Sequence, residues 1–172
     1  RMLRAEFRPA RWADEVACEI QFGHIRRPTT ERDSVERAQF EVVAHKWIAV
    51  EDERGGFALL NDGKYGHRAK DGLLSLNLLR SPTFPDRTAD RGAHEFCYAI
   101  RPFAPGALGD VIRDGYRLNN PLRMASGVAF DSLVASSDPG VVVETVKRAD
   151  AGHGTVVRLY ESLGRATTTA LT

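Results

Sequence analysis

Ala58-Leu59-Leu60-Asn61-Asp62-Gly63-Lys64-Tyr65-Gly66-His67-Arg68-Ala69-Lys70-Asp71-Gly72-Leu73-Leu74-Ser75-Leu76-Asn77-Leu78-Leu79-Arg80-Ser81-Pro82-Thr83-Phe84-Pro85-Asp86 is the stretch whose reading decides the fold. A short apolar run ends in Asn61-Asp62-Gly63, a turn signal built from residues that bond their own backbone or accept positive φ. Asp71-Gly72 is a second turn, suited to a two-residue hairpin because both residues tolerate the left-handed region. Behind it, Leu74, Leu76 and Leu78 alternate with Ser75 and Asn77, the period of two that marks a strand with one buried face. The strand leaves through Arg80-Ser81-Pro82, and Ser81 to Arg91 reads as a loop, with two prolines and alternating charge.

The same alternation recurs outward from this segment. Val16, Cys18, Ile20 and Phe22 form one series, and Phe40 and Val42, followed by Trp47, lie in another between Gln39 and Val50. Phe96, Tyr98 and Ile100 form a third. Val141 to Val146 and Thr155 to Glu161 predict a late hairpin around Ala149 to Gly154. Its first strand is apolar on both faces and is expected to be covered on both sides. Leu108, Val111, Ile112 and Tyr116 fit a short helix or turn, against which Gly109 and Gly115 count. Roughly eight or nine short strands separated by turns predict an all-β fold, an antiparallel β-sandwich with at most one short helix. The chain is expected to form a single domain over residues 1–172, with one small break near Asn119 to Ser126.

Composition limits the function. A chain of 172 residues can bury a sizeable core. Its net charge of +1 argues against a dedicated polyanion binder. No apolar run approaches transmembrane length, and no signal peptide is visible. Cys18 and Cys97 each sit in an alternating run and are expected to be small buried side chains of a reducing compartment. The first residue is Arg1, not Met, and the last run, Thr167 to Thr172, reads as a strand without a closing turn. Both features lead to the expectation of a piece of a longer chain.

Catalytic motifs are lacking. His24, His45, His67, His94 and His153 show no zinc-motif spacing, and neither cysteine belongs to a CxxC pair. No nucleophile elbow, P-loop or dinucleotide fingerprint occurs. Asp62, Asp71 and Asp86 lie in turns, where acids usually serve the turn. Trp47 and Tyr98 are expected in the core. Tyr65, in a glycine-flanked loop, is the better candidate for an exposed role, and Trp12 and Phe84 are further stacking candidates.

Several segments are, in order, similar to the C-terminal region of glycoside hydrolase family 38, the α-mannosidases of the bacterial and cytosolic-type branch. They are Glu19-Ile20-Gln21-Phe22-Gly23-His24 with Ala44-His45-Lys46-Trp47; Asn61-Asp62-Gly63-Lys64-Tyr65-Gly66-His67 with Leu79-Arg80-Ser81-Pro82; and Ala89-Asp90-Arg91-Gly92 with His94, Phe96 and Tyr98, then Leu118-Asn119-Asn120-Pro121. The resemblance implies a β-sandwich of the glycosidase C-terminal type, and a parent enzyme that hydrolyses α-mannosides with retention. Zinc and the catalytic carboxylates would belong to an N-terminal catalytic domain of the same chain. It implies no catalytic or metal residue here and no cofactor in this stretch. The expected location is the cytoplasm, with a mannoside-type carbohydrate as ligand and neither nucleic acid nor membrane as partner. Arg80 is similar to an arginine that family members present toward the sugar, although a solvated arginine or an interdomain salt bridge explains it equally well. Asn61, Asp62, Lys64 and Tyr65 are the second substrate-binding group. A stand-alone carbohydrate-binding module and a purely structural or interface domain stay open as alternatives.

Overall fold

The computed structural model describes residues 2–122, 124, 126, 127 and 132–172. Among them are eleven strands: β1 (Leu3–Phe7), β2 (Glu15–Ile20), β3 (Gly23–Pro28), β4 (Val42–Val43), β5 (Trp47–Asp52), β6 (Gly55–Asn61), β7 (Gly66–Lys70), β8 (Leu73–Leu79), β9 (Tyr98–Phe103), β10 (Val141–Arg148) and β11 (Thr155–Glu161). Two helices accompany them, α1 (Ser34–Ala38) and α2 (Leu108–Asn119), one more than the sequence led us to expect. The all-β antiparallel sandwich is otherwise as read. A four-stranded sheet in the order β1-β8-β7-β4 faces a five-stranded sheet in the order β3-β2-β5-β6-β9, and β10-β11 forms a separate hairpin.

The middle strands explain why two cores form. Along β5, Ile48 and Val50 point into the core between the sheets, while Trp47 and Ala49 point into a second core under α2. β6 repeats this: Leu59 faces the inter-sheet core, and Ala58 and Leu60 face the helix. Period-two alternation thus persists in strands that are buried throughout, because the five-stranded sheet is covered on both faces. Leu74, Leu76 and Leu78 of β8 close the first core from the opposite sheet. Leu108, Val111 and Ile112 of α2 close the second. Gly115, a mark against the helix in the sequence, is what lets α2 approach: a Cβ there would lie 2.9 Å from Trp47 Cδ1.

The outcome differs from the sequence reading in several places. The β10–β11 hairpin is not enclosed. Its burial alternates between half-buried and exposed after Val141, because it pairs with no other strand and only one face meets the body. It is anchored by the Tyr116 phenol of α2, which bonds Glu144 and lies 3.0 Å from the Tyr160 hydroxyl. Tyr98, expected in the core, is 40% exposed because β9 is an edge strand of its sheet. Cys18 is buried, and burial pushes its thiol up to about 11, but Cys97 is exposed. Phe22 occupies a turn at φ 59° and Phe40 is exposed. The C-terminal run contributes an isolated bridge, Ser136 to Leu171, instead of a strand. The expected break at Asn119 to Ser126 lies partly outside the described residues, and α2 runs through its first residue.

Candidate functional site

Topology gathers the residues singled out above at one end of the sandwich. β6 reaches that end and crosses to β7 in the other sheet through residues 62–65. β8 runs antiparallel to β7 and returns to the same end, so Arg80 and the long connector to β9 stand there too. The β4–β5 connector, Ala44 to Lys46, arrives at the same place, because β4 is antiparallel to β7 and β5 to β6.

Asn61 builds the first loop. Its side chain is 0% exposed. Its Oδ1 accepts from the backbone N–H groups of Gly63 (2.9 Å) and Lys64 (2.6 Å), closing an Asx-type turn. Its Nδ2 donates to the His45 carbonyl at 2.9 Å and lies 3.4 Å from His67 Nε2. His67 is equally buried, and its Nδ1 donates to the Tyr65 carbonyl at 3.1 Å. The imidazole is therefore neutral with Nε2 free to accept, and burial pushes its pKa down to about 4. Gly63, at φ +144°, takes the conformation that residues with a Cβ avoid. Asn119 of α2 adds a further tie, its Nδ2 donating to the Asn61 carbonyl at 3.0 Å.

This wiring settles who faces outward. Asn61 has no face left for a ligand; it shapes the loop instead of presenting itself. Asp62 is exposed and Tyr65 is 58% exposed, with its ring 5.4 Å from that of His45. Lys64 places its ammonium 4.9 Å over the Phe96 ring. His45, Lys46, Asp62, Gly63, Tyr65 and Asn119 enclose a cavity of about 200 Å³. The Lys46 charge is already committed: its Nζ lies 2.9 Å from the buried Glu19 carboxylate and 4.4 Å over the Tyr116 ring.

Arg80 stands on the neighbouring part of this end. It is exposed and borders a larger hollow of about 530 Å³ with Met2, Arg4, Phe40, Asn77 and Leu79. Among the described residues it makes neither a salt bridge nor a side-chain hydrogen bond, whereas Arg4 beside it pairs with Glu41. Asn77 stands between the two areas: it lines the hollow of Arg80, and a Cβ added to Gly66 would lie 2.7 Å from its Nδ2. Asn77 Oδ1 is buried without a partner among the described residues. His45, Asn77 and Asn119 were not picked as site residues from the sequence. His45 and Asn119 lie in segments of the family resemblance, but it is connector topology that brings them and Asn77 to this end.

Among the described residues no three His, Cys, Asp or Glu side chains converge as a metal site would require. The described residues do not fit a resident zinc ion. No helix is long and apolar enough to cross a membrane, a statement confined to the described residues.

Comparison with known proteins defines the class: residues 1–88 match the family model of the glycosyl hydrolases family 38 C-terminal domain, and the chain belongs to that family. It is 46% identical over 160 residues to alpha-mannosidase G of Dictyostelium discoideum, covering 87% of this chain and 15% of that protein. It is 44% identical over 176 residues to human alpha-mannosidase 2C1, covering 95% of this chain and 17% of that one. The crystal structure of an alpha-mannosidase from Enterococcus faecalis V583 superposes with a TM-score of 0.80 at 17% identity, over 99% of this chain and 21% of that one. This last likeness concerns the fold. The chain thus spans about one-sixth of the length of the curated relatives it matches.

Proposed function

We propose that this chain is the non-catalytic C-terminal part of a zinc-dependent, retaining α-mannosidase, located in the cytoplasm, and that the connector end completes one wall of the active-site cleft. The observation that carries this reading is Arg80, exposed at the end of a core strand and without a partner among the described residues. An unpaired guanidinium can fork two hydrogen bonds to vicinal hydroxyls or to a carboxylate. Tyr65 supplies an apolar plane that suits the C–H face of a sugar. Asp62 and Lys64 border the same loop, and Asn61 and His67 hold it in shape. The nucleophile, the general acid and the zinc belong, in this reading, to a catalytic domain of the same longer protein. The partners are that domain and a mannoside-type carbohydrate. When bound there, zinc would grip sugar hydroxyls; this chain's residues would bind and orient the sugar from the opposite wall.

The test has two arms. Purified residues 1–172 with added zinc should not turn over an aryl α-mannoside; robust turnover by clean protein would overturn the division of labour. In a complete α-mannosidase carrying this region, Arg80→Ala should lower kcat/KM by about 10- to 100-fold, the size of a lost charged hydrogen bond in a closed site. A second reading, a stand-alone carbohydrate-binding module, draws on Tyr65 at 58% and Phe84 at 86% exposure. Calorimetry of residues 1–172 with mannose oligosaccharides separates the two, since measurable binding by this region alone favours the module.

A further inference from the structure

The connector between β8 and β9 carries a motif that neither the fold nor the loop at residues 62–65 absorbs: Ala89-Asp90-Arg91-Gly92 with His94 and Phe96. Ser81, the residue after Arg80, sits at φ 48°, in the left-handed region that a residue with a Cβ occupies only when its surroundings hold it there. The hold is visible. The Ser81 N–H donates to Asp90 Oδ2 at 2.7 Å, closing a ring across a separation of nine residues along the connector. Asp90 is itself at φ 59°. Its carboxylate forms no ion pair among the described residues, so its charge is not consumed by a neighbouring cation. A hydrogen bond from an amide to a carboxylate is roughly twice as strong as a neutral one.

The tie continues. The Asp90 carbonyl lies 3.0 Å from His94 Nε2, which donates to it. The His94 ring lies parallel to that of Phe96, with centroids 6.0 Å apart, and Phe96 carries the Lys64 ammonium at 4.9 Å. One set of contacts therefore runs from the bend behind Arg80 to the loop anchored by Asn61. Resting on the reading that Arg80 faces the sugar, we infer that Asp90 is a positioning residue: its carboxylate fixes the bend at Ser81 and thereby the direction in which Arg80 leaves the sheet rim. A long side chain without a partner of its own owes its placement to its backbone, and a misplacement of about 1 Å costs on the order of 100-fold in rate.

The experiment is a kinetic cycle in a complete α-mannosidase carrying this region, with an aryl α-mannoside as substrate. Asp90→Ala should lower kcat/KM by about 5- to 30-fold, a share of what full misplacement costs. Asp90→Asn should recover most of that loss, because a carboxamide oxygen still accepts from the Ser81 N–H. The double variant with Arg80→Ala should be no slower than Arg80→Ala alone. Should Asp90→Ala not accumulate as folded protein, His94→Ala loosens the other end of the tie and should give a smaller loss, again absent when Arg80 is already alanine. A costly Arg80→Ala beside a neutral Asp90→Ala, or losses that multiply in the double variant, overturns this inference alone. A neutral Arg80→Ala overturns the cleft reading and this inference with it. An Asp90→Ala loss that follows the fraction unfolded, with no rescue by asparagine, marks a purely structural role and also overturns it.

Discussion

Of the three connectors that cross between the sheets at one end of this sandwich, β6–β7 and β8–β9 are held in opposite ways. The loop at residues 62–65 is short and fixed from beneath by side chains withdrawn from water, Asn61 and His67, which occupy the polar groups of its backbone. The connector from Ser81 to Cys97 is long and mostly exposed, and Asp90 ties it from the outside. Buried amides that lose their partners cannot turn to water, whereas exposed ones can. The first loop is therefore inseparable from the stability of the fold. The second can alter its geometry at little cost, which suits a segment that sets the aim of one side chain.

That contrast can be broken experimentally. Asn61→Ala removes the acceptor of two loop amides and leaves His67 and the His45 carbonyl with one partner fewer. It should cost residues 1–172 about 2–4 kcal/mol in denaturant unfolding, and a loss under about 1 kcal/mol would show that the loop is not wired from beneath. Acid probes the same loop. Because the folded state keeps His67 neutral, with its pKa pushed down to about 4, only the unfolded chain takes up this proton between pH 6.5 and 4. The contribution is unchanged above the ordinary histidine range, falls as pH drops through that window, and is lost in full below it, up to about 3 kcal/mol. Stability of the wild type and of His67→Gln measured from pH 7 to pH 4 should diverge in slope; parallel curves would contradict the buried neutral imidazole.

Lys64→Ala removes the ammonium from the Phe96 ring and should cost about 0.5–1 kcal/mol. In native-state hydrogen exchange it should loosen the second connector more than the first. Asp62→Ala should be the mildest, within about 0.5 kcal/mol, since the side chain is exposed and no contact of its own is seen among the described residues. A kinetic defect in the complete enzyme without any stability change would then place Asp62 at the sugar.

Legibility followed burial. β2, β6 and β8 could be read because one or both of their faces are aliphatic, and Asp71-Gly72 because both residues sit at positive φ, 55° and 69°. β7, Gly-His-Arg-Ala-Lys, escaped notice because its buried positions include His67 and Lys70. Lys70 is 1% exposed only because its ammonium reaches the Thr30 carbonyl at 2.6 Å and the Glu36 carbonyl at 3.0 Å, acceptors that lie 40 and 34 residues away. No local pattern announces such partners. The hairpin misled in the opposite direction: Val141 to Val146 is apolar enough for an interior strand, yet it joins neither large sheet.

By itself, then, the sequence determined an antiparallel sandwich, the turn chemistry at Asn61 to Gly63 and at Asp71-Gly72, and the segments that resemble family 38. Alternation and positive-φ preferences act over a few residues, so a linear chain records them. Tertiary structure alone decided that Asn61 turns inward while Tyr65 turns outward, that Tyr98 is an edge residue, and that Ser81 meets Asp90. Those outcomes depend on which connectors share an end of the sandwich and on where distant carbonyls and carboxylates fall, and both are set by strand order between the sheets.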